Sequence, residues 1–475
     1  MPTQFQQRLV VFISLAFAML NALFFYFQLD WFAGIPLAIL IIGIALFRLD
    51  VLIYIIVLTT PLSITFEDVG GGLGLTLPTD PLMFGAMLVF ILKVLFDMKY
   101  DYRILKHPIS LAILAQLIWI FFTSITSELP LVSFKYFLAR LWYVIPFFFI
   151  VALLFKYPKK VNTFWWMYMV PLSGVIIYTV IRHGLRGFGD EPAHWVMQPF
   201  FSDHTGYGAM IAFCIPIAFV YQFRTKWDIN TRILAGFVFT VLIIGVVLSY
   251  TRAAWVSLVV ALVLMILIAF RVKWWIVALG GLGLIGVFFS FQVEIMHKLE
   301  KNKQDSSSDF AEHVESISNV ATDASNLERL NRWDAAFKMF FEDPVVGKGP
   351  GTYKFLYAPY QHSSNITIIS TNFGDGGNAH SEYFGPLAEQ GVLGMLLVLV
   401  ILFTFYYTGI PLYYKLVDKD ERWLLMAVLL SVTTYFVHGA LNNFLDQDKA
   451  SVPIWAAMAL VVVYDIYGKR KTIEE

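Results

Sequence analysis

Charge is scarce in this chain. Of 475 residues only 14% are Asp, Glu, Lys or Arg, against about 25% in soluble domains. The same sequence is 58% hydrophobic and 17% aromatic. That leaves too few polar side chains to cover a water-facing surface, so a water-soluble fold is excluded. Neither sign of charge is in excess, with 34 Lys+Arg against 34 Asp+Glu. There is no basic surplus to neutralise a phosphate backbone, and nucleic-acid binding is not expected. Cysteine is almost missing. Cys214 is the only one, which rules out intrachain disulfides and thiolate metal clusters.

What the chain does hold is apolar sequence in runs of about 20 residues, the length that spans a bilayer as a helix. The pattern predicts an all-α polytopic membrane protein with about 12–14 transmembrane helices. Predicted spans run from 9–28 through 31–47, 51–66, 81–97, 109–127, 131–155, 162–181, 206–222, 233–250, 253–270, 274–294, 384–409 and 423–440 to 450–467. The first is too long for a signal-peptide core and no small-residue cleavage site follows it.

Residues 1–294 are thus expected to hold about eleven spans and a smaller outer loop at 182–205. Residues 295–383 form a large outer loop, and 384–475 carry about three spans and a tail. Lys/Arg-rich short loops stay in the cytoplasm. Lys99, Arg103, Lys156, Lys159, Lys160, Arg224, Lys226, Lys415, Lys419, Arg422 and Lys469 all fall in alternate loops. The opposite loops at 67–80 and 127–130 contain only acids, Glu67, Asp68, Asp80 and Glu128. Both termini are therefore predicted inside.

Within the large loop, Asn302 to Glu328 is polar and linker-like. Leu330, Trp333, Ala336, Phe337, Phe340 and Phe341 then recur at helical spacing, predicting an amphipathic helix on the outer face, ended near Pro344. The Gly347, Gly349, Pro350, Gly351 cluster that follows reads as a tight turn. It lacks the Gly-Lys-Ser/Thr ending of a phosphate-binding loop.

Positive charge outside, or charge within a span, runs against these rules and marks a pathway or site. Arg252, in Ser249-Tyr250-Thr251-Arg252-Ala253-Ala254-Trp255, sits at an outer junction of two spans. It either snorkels to headgroups or faces a ligand. Arg329 and Arg332 lie on the amphipathic helix, facing solvent, lipid phosphate or substrate. Lys135 and Arg140 fall near the outer end of the sixth span, and Arg140 is expected to be buried against a partner.

His380 follows a Gly-rich approach, Gly376-Gly377-Asn378-Ala379-His380-Ser381-Glu382-Tyr383, just before a span begins. Backbone can come close to a ligand there, the following helix N-terminus favours an anion, and an imidazole can take a proton from a hydroxyl. Other constellations are weaker. Asp446-Gln447-Asp448 has the spacing to hold a divalent cation, Asp309 with Glu312-His313 could do the same, and Asp203-His204 could touch substrate. The first two read better as solvated polar loop, and no metal centre is predicted.

His380-Ser381, nine residues, Gly391, two residues and Gly394 together resemble the signature of bacterial O-antigen ligases. The arginine motif around Arg252 is similar to the same superfamily, which also contains O-antigen and exopolysaccharide polymerases. So is Arg329-Leu330-Asn331-Arg332-Trp333-Asp334-Ala335-Ala336, continuing through Asp343-Pro344 to Gly351-Thr352-Tyr353. The three stand in the family's order. Where family members often have Leu four residues after the arginine, this chain has Val256.

The resemblance implies a GT-C-type glycosyltransferase at the periplasmic face of the bacterial inner membrane, working without a metal or cofactor and with inversion. It implies an undecaprenyl-diphosphate-linked glycan as donor and a sugar hydroxyl as acceptor, that of lipid A-core for a ligase or a growing glycan for a polymerase. Arg252 and Arg329 would hold the diphosphate and His380 would be the base, with Arg140, Arg332, Glu389 and Ser381 in support. A transporter of the same lipid-linked glycan stays open, although it calls for a charged path continuing to the inner face.

Overall fold

The apolar runs form helices, and among the described residues nine are long and apolar enough to cross a membrane. The chain is an all-α polytopic membrane protein. The structure, a computed structural model, describes residues 4–27, 30–66, 74–96, 100–273, 324–361 and 377–469. The predicted span at 274–294, together with Glu67, Asp68, Asp309, Glu312, His313 and Gly376, lies outside the described residues.

The chain divides into two units, Met1–Ile55 and Ile56–Glu475. The first contains α1 (Gln4–Tyr26), α2 (Ile35–Phe47) and the start of α3 (Leu49–Thr59). α2 and α3 are single short helices of 13 and 11 residues, below the length that spans a bilayer alone. Phe32 packs its ring on Phe17 at 5.4 Å and on Phe24 at 4.4 Å.

The second unit opens with a small antiparallel pair, β1 (Ile64–Phe66) and β2 (Leu75–Leu77), in the register Ile64 to Leu77. Helical periodicity gave no hint of it. Then follow α4 (Thr79–Phe96), α5 (Tyr102–Leu105), α6 (Pro108–Ile125), α7 (Pro130–Val144), α8 (Val151–Phe155) and α9 (Pro158–Gly184). α7 and α8 are one continuous span, widened to π geometry across Ile145–Ile150. Pro146 sits in that turn and has no N–H to donate. Next come α10 (Asp190–Ala193), α11 (His204–Gln222), α12 (Ile229–Leu248) and α13 (Arg252–Ala269). The described chain resumes at α14 (Ala324–Glu342) and continues through α15 (Tyr353–Leu356), α16 (Phe384–Lys415), α17 (Lys419–His438) and α18 (Asp448–Tyr467).

α18 is buried on every side, including Ala450, Ser451, Ala456, Ala457 and Ala459. Lipid tails are as apolar as leucine, so small residues that let backbones approach, rather than a hydrophobic driving force, allow such a central helix to pack. α12 and α13 instead expose Ile233, Phe237, Val259 and Leu262, as befits a lipid-facing surface. α17 is also largely buried, but its first turn carries Lys419, Asp420, Glu421 and Arg422, and it is not among the nine.

The span predicted at 384–409 is not a continuous helix. α16 breaks at Gly391, whose φ of 68° and ψ of −169° are not helical. A Cβ there would come within 2.2 Å of the Val345 carbonyl oxygen, so only glycine fits. The break frees the carbonyls of Ala388, Glu389 and Gln390. They accept from Lys348 N–H at 3.1 Å, Gly349 N–H at 2.8 Å and Trp119 Nε1 at 2.9 Å. Val392 N–H donates to Pro344 O at 3.0 Å. The glycine-rich turn is thereby docked onto the broken helix, with φ positive at Gly347, Gly349 and Gly351. Lys348 completes the dock. It is buried and bridges Glu128 (2.9 Å), Glu342 (2.9 Å) and Asp343 (2.6 Å).

Candidate functional site

α14 forms over the residues whose apolar spacing predicts it, but its buried face does not lie against lipid. Ala335, Ala336 and Met339 pack with Tyr353, Tyr357, Ala379 and Ala388, and the rings of Trp333 and Phe337 meet Phe384 at 5.2 and 5.0 Å. α14 is thus clamped to the head of α16, and its arginines are aimed by protein packing.

Arg332 is the more buried of the two. Its Nε donates to Glu328 Oε1 at 2.7 Å, its Nη1 donates to Asn378 O at 3.0 Å, and its guanidinium stacks over Tyr357 at 5.0 Å. Gly377 makes room for it: a Cβ at that position would fall 1.7 Å from Nη1. Arg332 therefore holds the approach to His380 in place.

Asn378 continues that support, its Oδ1 accepting from His380 N–H at 3.0 Å. His380 itself has φ of 47°, in the left-handed region that histidine enters more readily than bulky residues. Ser381 Oγ accepts from the N–H groups of Tyr383 (3.2 Å) and Phe384 (3.3 Å), satisfying donors at the head of α16. Glu382 N–H donates to Gly439 O at 2.7 Å, and its buried carboxylate accepts from Tyr435 Oη and from the N–H groups of Phe444 (2.8 Å) and Leu445 (2.9 Å). Burial raises that carboxyl group above its ordinary pKa. The segment is in this way stapled to the α17–α18 loop.

Arg329 points to the same loop, donating from Nε to Leu441 O at 3.2 Å. Burial, and then the nearby charge of Arg252, lowers its guanidinium to about 10. It stays cationic at neutral pH. Arg252 is placed by a sharp turn in which Tyr250 takes φ of 51° and Thr251 precedes the first residue of α13. Thr251 Oγ1 donates to His204 O at 2.8 Å. Asp190 faces Arg252 electrostatically.

The His380 imidazole is pushed down to about 4, first by burial and then by Arg332 and Arg329, against the pull of Asn442 and Glu328. Its Nδ1 lies 3.3 Å from Asn442 Oδ1. Arg329 therefore stands electrostatically beside both Arg252 and His380, residues far apart in sequence.

Arg140 and Glu389 are placed differently. Arg140 is buried, as expected, donating to Leu445 O (3.1 Å) and Tyr136 Oη (2.7 Å). Glu389 accepts from Tyr353 N–H at 3.0 Å, which closes the glycine-rich turn. Both line a cavity of about 770 Å³ that also meets Lys135, Asp446, and Asn378 and Ser381 on either side of His380.

Asp446 and Asp448 do not form a paired site. Asp446 is exposed to this cavity. Asp448 is buried, accepting from Ser63 Oγ (2.6 Å) and Thr79 Oγ1 (2.8 Å) and lying beside Lys449. Asp203 caps α11, accepting from the N–H groups of Thr205 (2.7 Å) and Gly206 (2.9 Å). Its neighbour His204 stacks on His194 at 4.3 Å. Among the described residues no group of three or more His, Cys, Asp or Glu is placed to hold a metal ion.

Residues 237–399, roughly a third of the chain, match the family model described as O-antigen ligase. They contain Arg252, Arg329, His380, Gly391 and Gly394. This segment belongs to the O-antigen ligase superfamily. No curated protein matches the chain. The match supports an enzyme role of the glycosyltransferase type, and the O-antigen ligase family implies a lipid-linked glycan and a glycan acceptor. Two neighbours of the site, Asn442 and His438, lie beyond the matched segment and were missed in the sequence. A histidine inside a predicted span was the available signal.

Proposed function

We propose that this protein is an O-antigen ligase-type glycosyltransferase, moving a glycan from undecaprenyl diphosphate to a sugar hydroxyl of lipid A-core at the periplasmic face of the inner membrane. The observation that supports this best is the placement of Arg329 electrostatically beside both Arg252 and His380.

In the proposed reaction, His380 takes the proton of the acceptor hydroxyl as its oxygen attacks the anomeric carbon. The bond from that carbon to the diphosphate breaks, and its electron pair leaves on the phosphate oxygen. Displacement from the opposite face inverts the anomeric centre. Planar guanidinium groups match phosphate oxygens in bidentate fashion, so Arg252 and Arg329 stabilise the charge that develops there. The acceptor sugar would enter from the cavity flanking His380, where Tyr136, Trp142, Tyr353 and Phe355 offer aromatic faces beside charged groups.

A base near pKa 4 is weak in the empty enzyme. The depression has a reversible part: a bound diphosphate offsets the field of Arg329 and Arg332, and His380 becomes more basic when the donor is in place.

The test is transfer by purified full-length protein given the lipid-linked glycan with either lipid A-core or a second lipid-linked glycan. Capping of lipid A-core supports ligation, whereas elongation of the lipid-linked glycan alone makes the protein a polymerase. Transfer by well-expressed His380→Ala at wild-type rate would remove His380 from the chemistry; the expected loss is about 10²- to 10⁴-fold.

A further inference from the structure

We infer that Asn442 is a positioning residue that fixes which ring nitrogen of His380 carries the proton, an inference that rests on His380 acting as the base. Asn442 is buried between two histidines. Its Oδ1 lies 3.3 Å from His380 Nδ1 and its Nδ2 lies 3.1 Å from His438 Nε2. An amide oxygen can only accept and an amide nitrogen can only donate. The first contact therefore requires a proton on His380 Nδ1, and the second requires a lone pair on His438 Nε2. With Nδ1 protonated, the neutral His380 ring keeps its lone pair on Nε2. That nitrogen has no hydrogen-bond partner among the described residues. It is the atom left to accept the hydroxyl proton.

The arrangement links two tautomers through one side chain. Rotating the amide by half a turn would move the His438 proton to Nε2 and strip the His380 proton from Nδ1. His380 would then present an N–H from Nε2 and could orient the acceptor but not deprotonate it. His438 Nδ1 is buried without a partner, so the pair leaves one nitrogen unsatisfied in either orientation.

Asn442 itself is held by its loop, which Arg329 grips at Leu441 and Glu382 grips at Gly439, Phe444 and Leu445. The charged and titratable groups facing the two histidines are Arg329, Arg332 and Glu328 on α14, Asp203 and His204 at the start of α11, and each other's imidazole through Asn442. None of them hydrogen-bonds His380 Nδ1, so among the described residues the amide alone sets the tautomer.

Asn442→Asp keeps an acceptor against Nδ1 and adds a negative charge. The acid limb of kcat/KM should move up by about one pH unit or more, with turnover above that limb within about tenfold of wild type. Asn442→Leu removes the acceptor, and kcat should fall by about 10- to 100-fold with KM for donor and acceptor unchanged. A residue that only filled space would lower expression or raise KM without moving the pH limb. Independently of any variant, 15N-histidine spectra of the full-length protein in bilayers at pH 7, assigned against His380→Ala, should show a protonated Nδ1 and a bare Nε2. A protonated Nε2, or an acid limb that stays put in Asn442→Asp, overturns the inference while leaving His380 in the site. Full activity of His380→Ala would instead overturn the underlying reading.

Discussion

The Nε of Arg329 donates to the backbone carbonyl of Leu441 at 3.2 Å. One bond thereby joins the helix that carries the second arginine motif to the loop that carries Asn442. The orientation of the guanidinium depends on that loop as much as on α14.

Arg252→Lys and Arg329→Lys should each lose most activity although charge is kept, because an ammonium is a point charge and cannot make the two-pronged contact of a guanidinium with phosphate. A loss of about tenfold or more in kcat/KM at normal expression is the expected result, measured with purified protein and lipid-linked glycan. Arg332 should behave otherwise. Its ion pair with Glu328 is buried, and truncating one partner of a buried pair costs about 3–5 kcal/mol. Arg332→Ala should show first as lost thermal stability in detergent, while near-normal stability would mean the pair is not structural.

The pH dependence of transfer has a definite sign. His380 is held down at about 4, so it is neutral and able to accept a proton throughout the range above that value. The acid limb of kcat/KM, which reports the free enzyme, should fall near pH 4 instead of near the ordinary histidine value of about 6.5. With donor bound, the anion offsets the two arginines, and the acid limb of kcat should lie at higher pH than that of kcat/KM. Two coincident limbs near 6.5 would contradict the depressed base.

Gly391→Ala should be strongly destabilising. An alanine would be forced to a φ of 68° with its Cβ on the Val345 carbonyl oxygen, and left-handed strain alone costs about 1–3 kcal/mol. The glycine-rich turn would then lose its seat on α16. Lower melting temperature in detergent, together with faster proteolysis at residues 343–352, is the expected pair of observations. Gly85→Ala serves as the comparison, because its backbone is helical and a Cβ there would meet nothing within 4 Å.

The last prediction concerns the two acids of the α17–α18 loop. Transfer should persist in excess EDTA, since the proposed site supplies arginines where a metal enzyme would place acidic ligands. Asp448→Asn should lower stability through its bonds to Ser63 and Thr79. Asp446→Asn should alter the cavity without abolishing folding. Loss of transfer in EDTA, restored by magnesium and copied by Asp446→Asn, would move the chemistry to that loop.

The sequence by itself determined the membrane class, the helices and three motifs. Those features are written locally. A run of about 20 apolar residues has one way to satisfy its backbone in lipid, namely a helix, and the spacing of Trp333, Ala336 and Phe337 needs only helical geometry to form a face. Sequence also marked Arg252, Arg329 and His380, because charge beside lipid is costly wherever the chain puts it.

Tertiary structure alone decided which of the marked residues share a neighbourhood. Arg329 and Arg332 are three positions apart on one helix, yet one turns to Leu441 and Arg252 while the other is consumed by Glu328 and Asn378. Asp446 and Asp448 are two apart, yet one faces a cavity and the other is locked into the core. The pairing of His380 with Asn442 spans 62 positions, and no local rule encodes it. It exists because Glu382 staples the segment carrying His380 to the α17–α18 loop, and such long-range contacts depend on how whole helices pack.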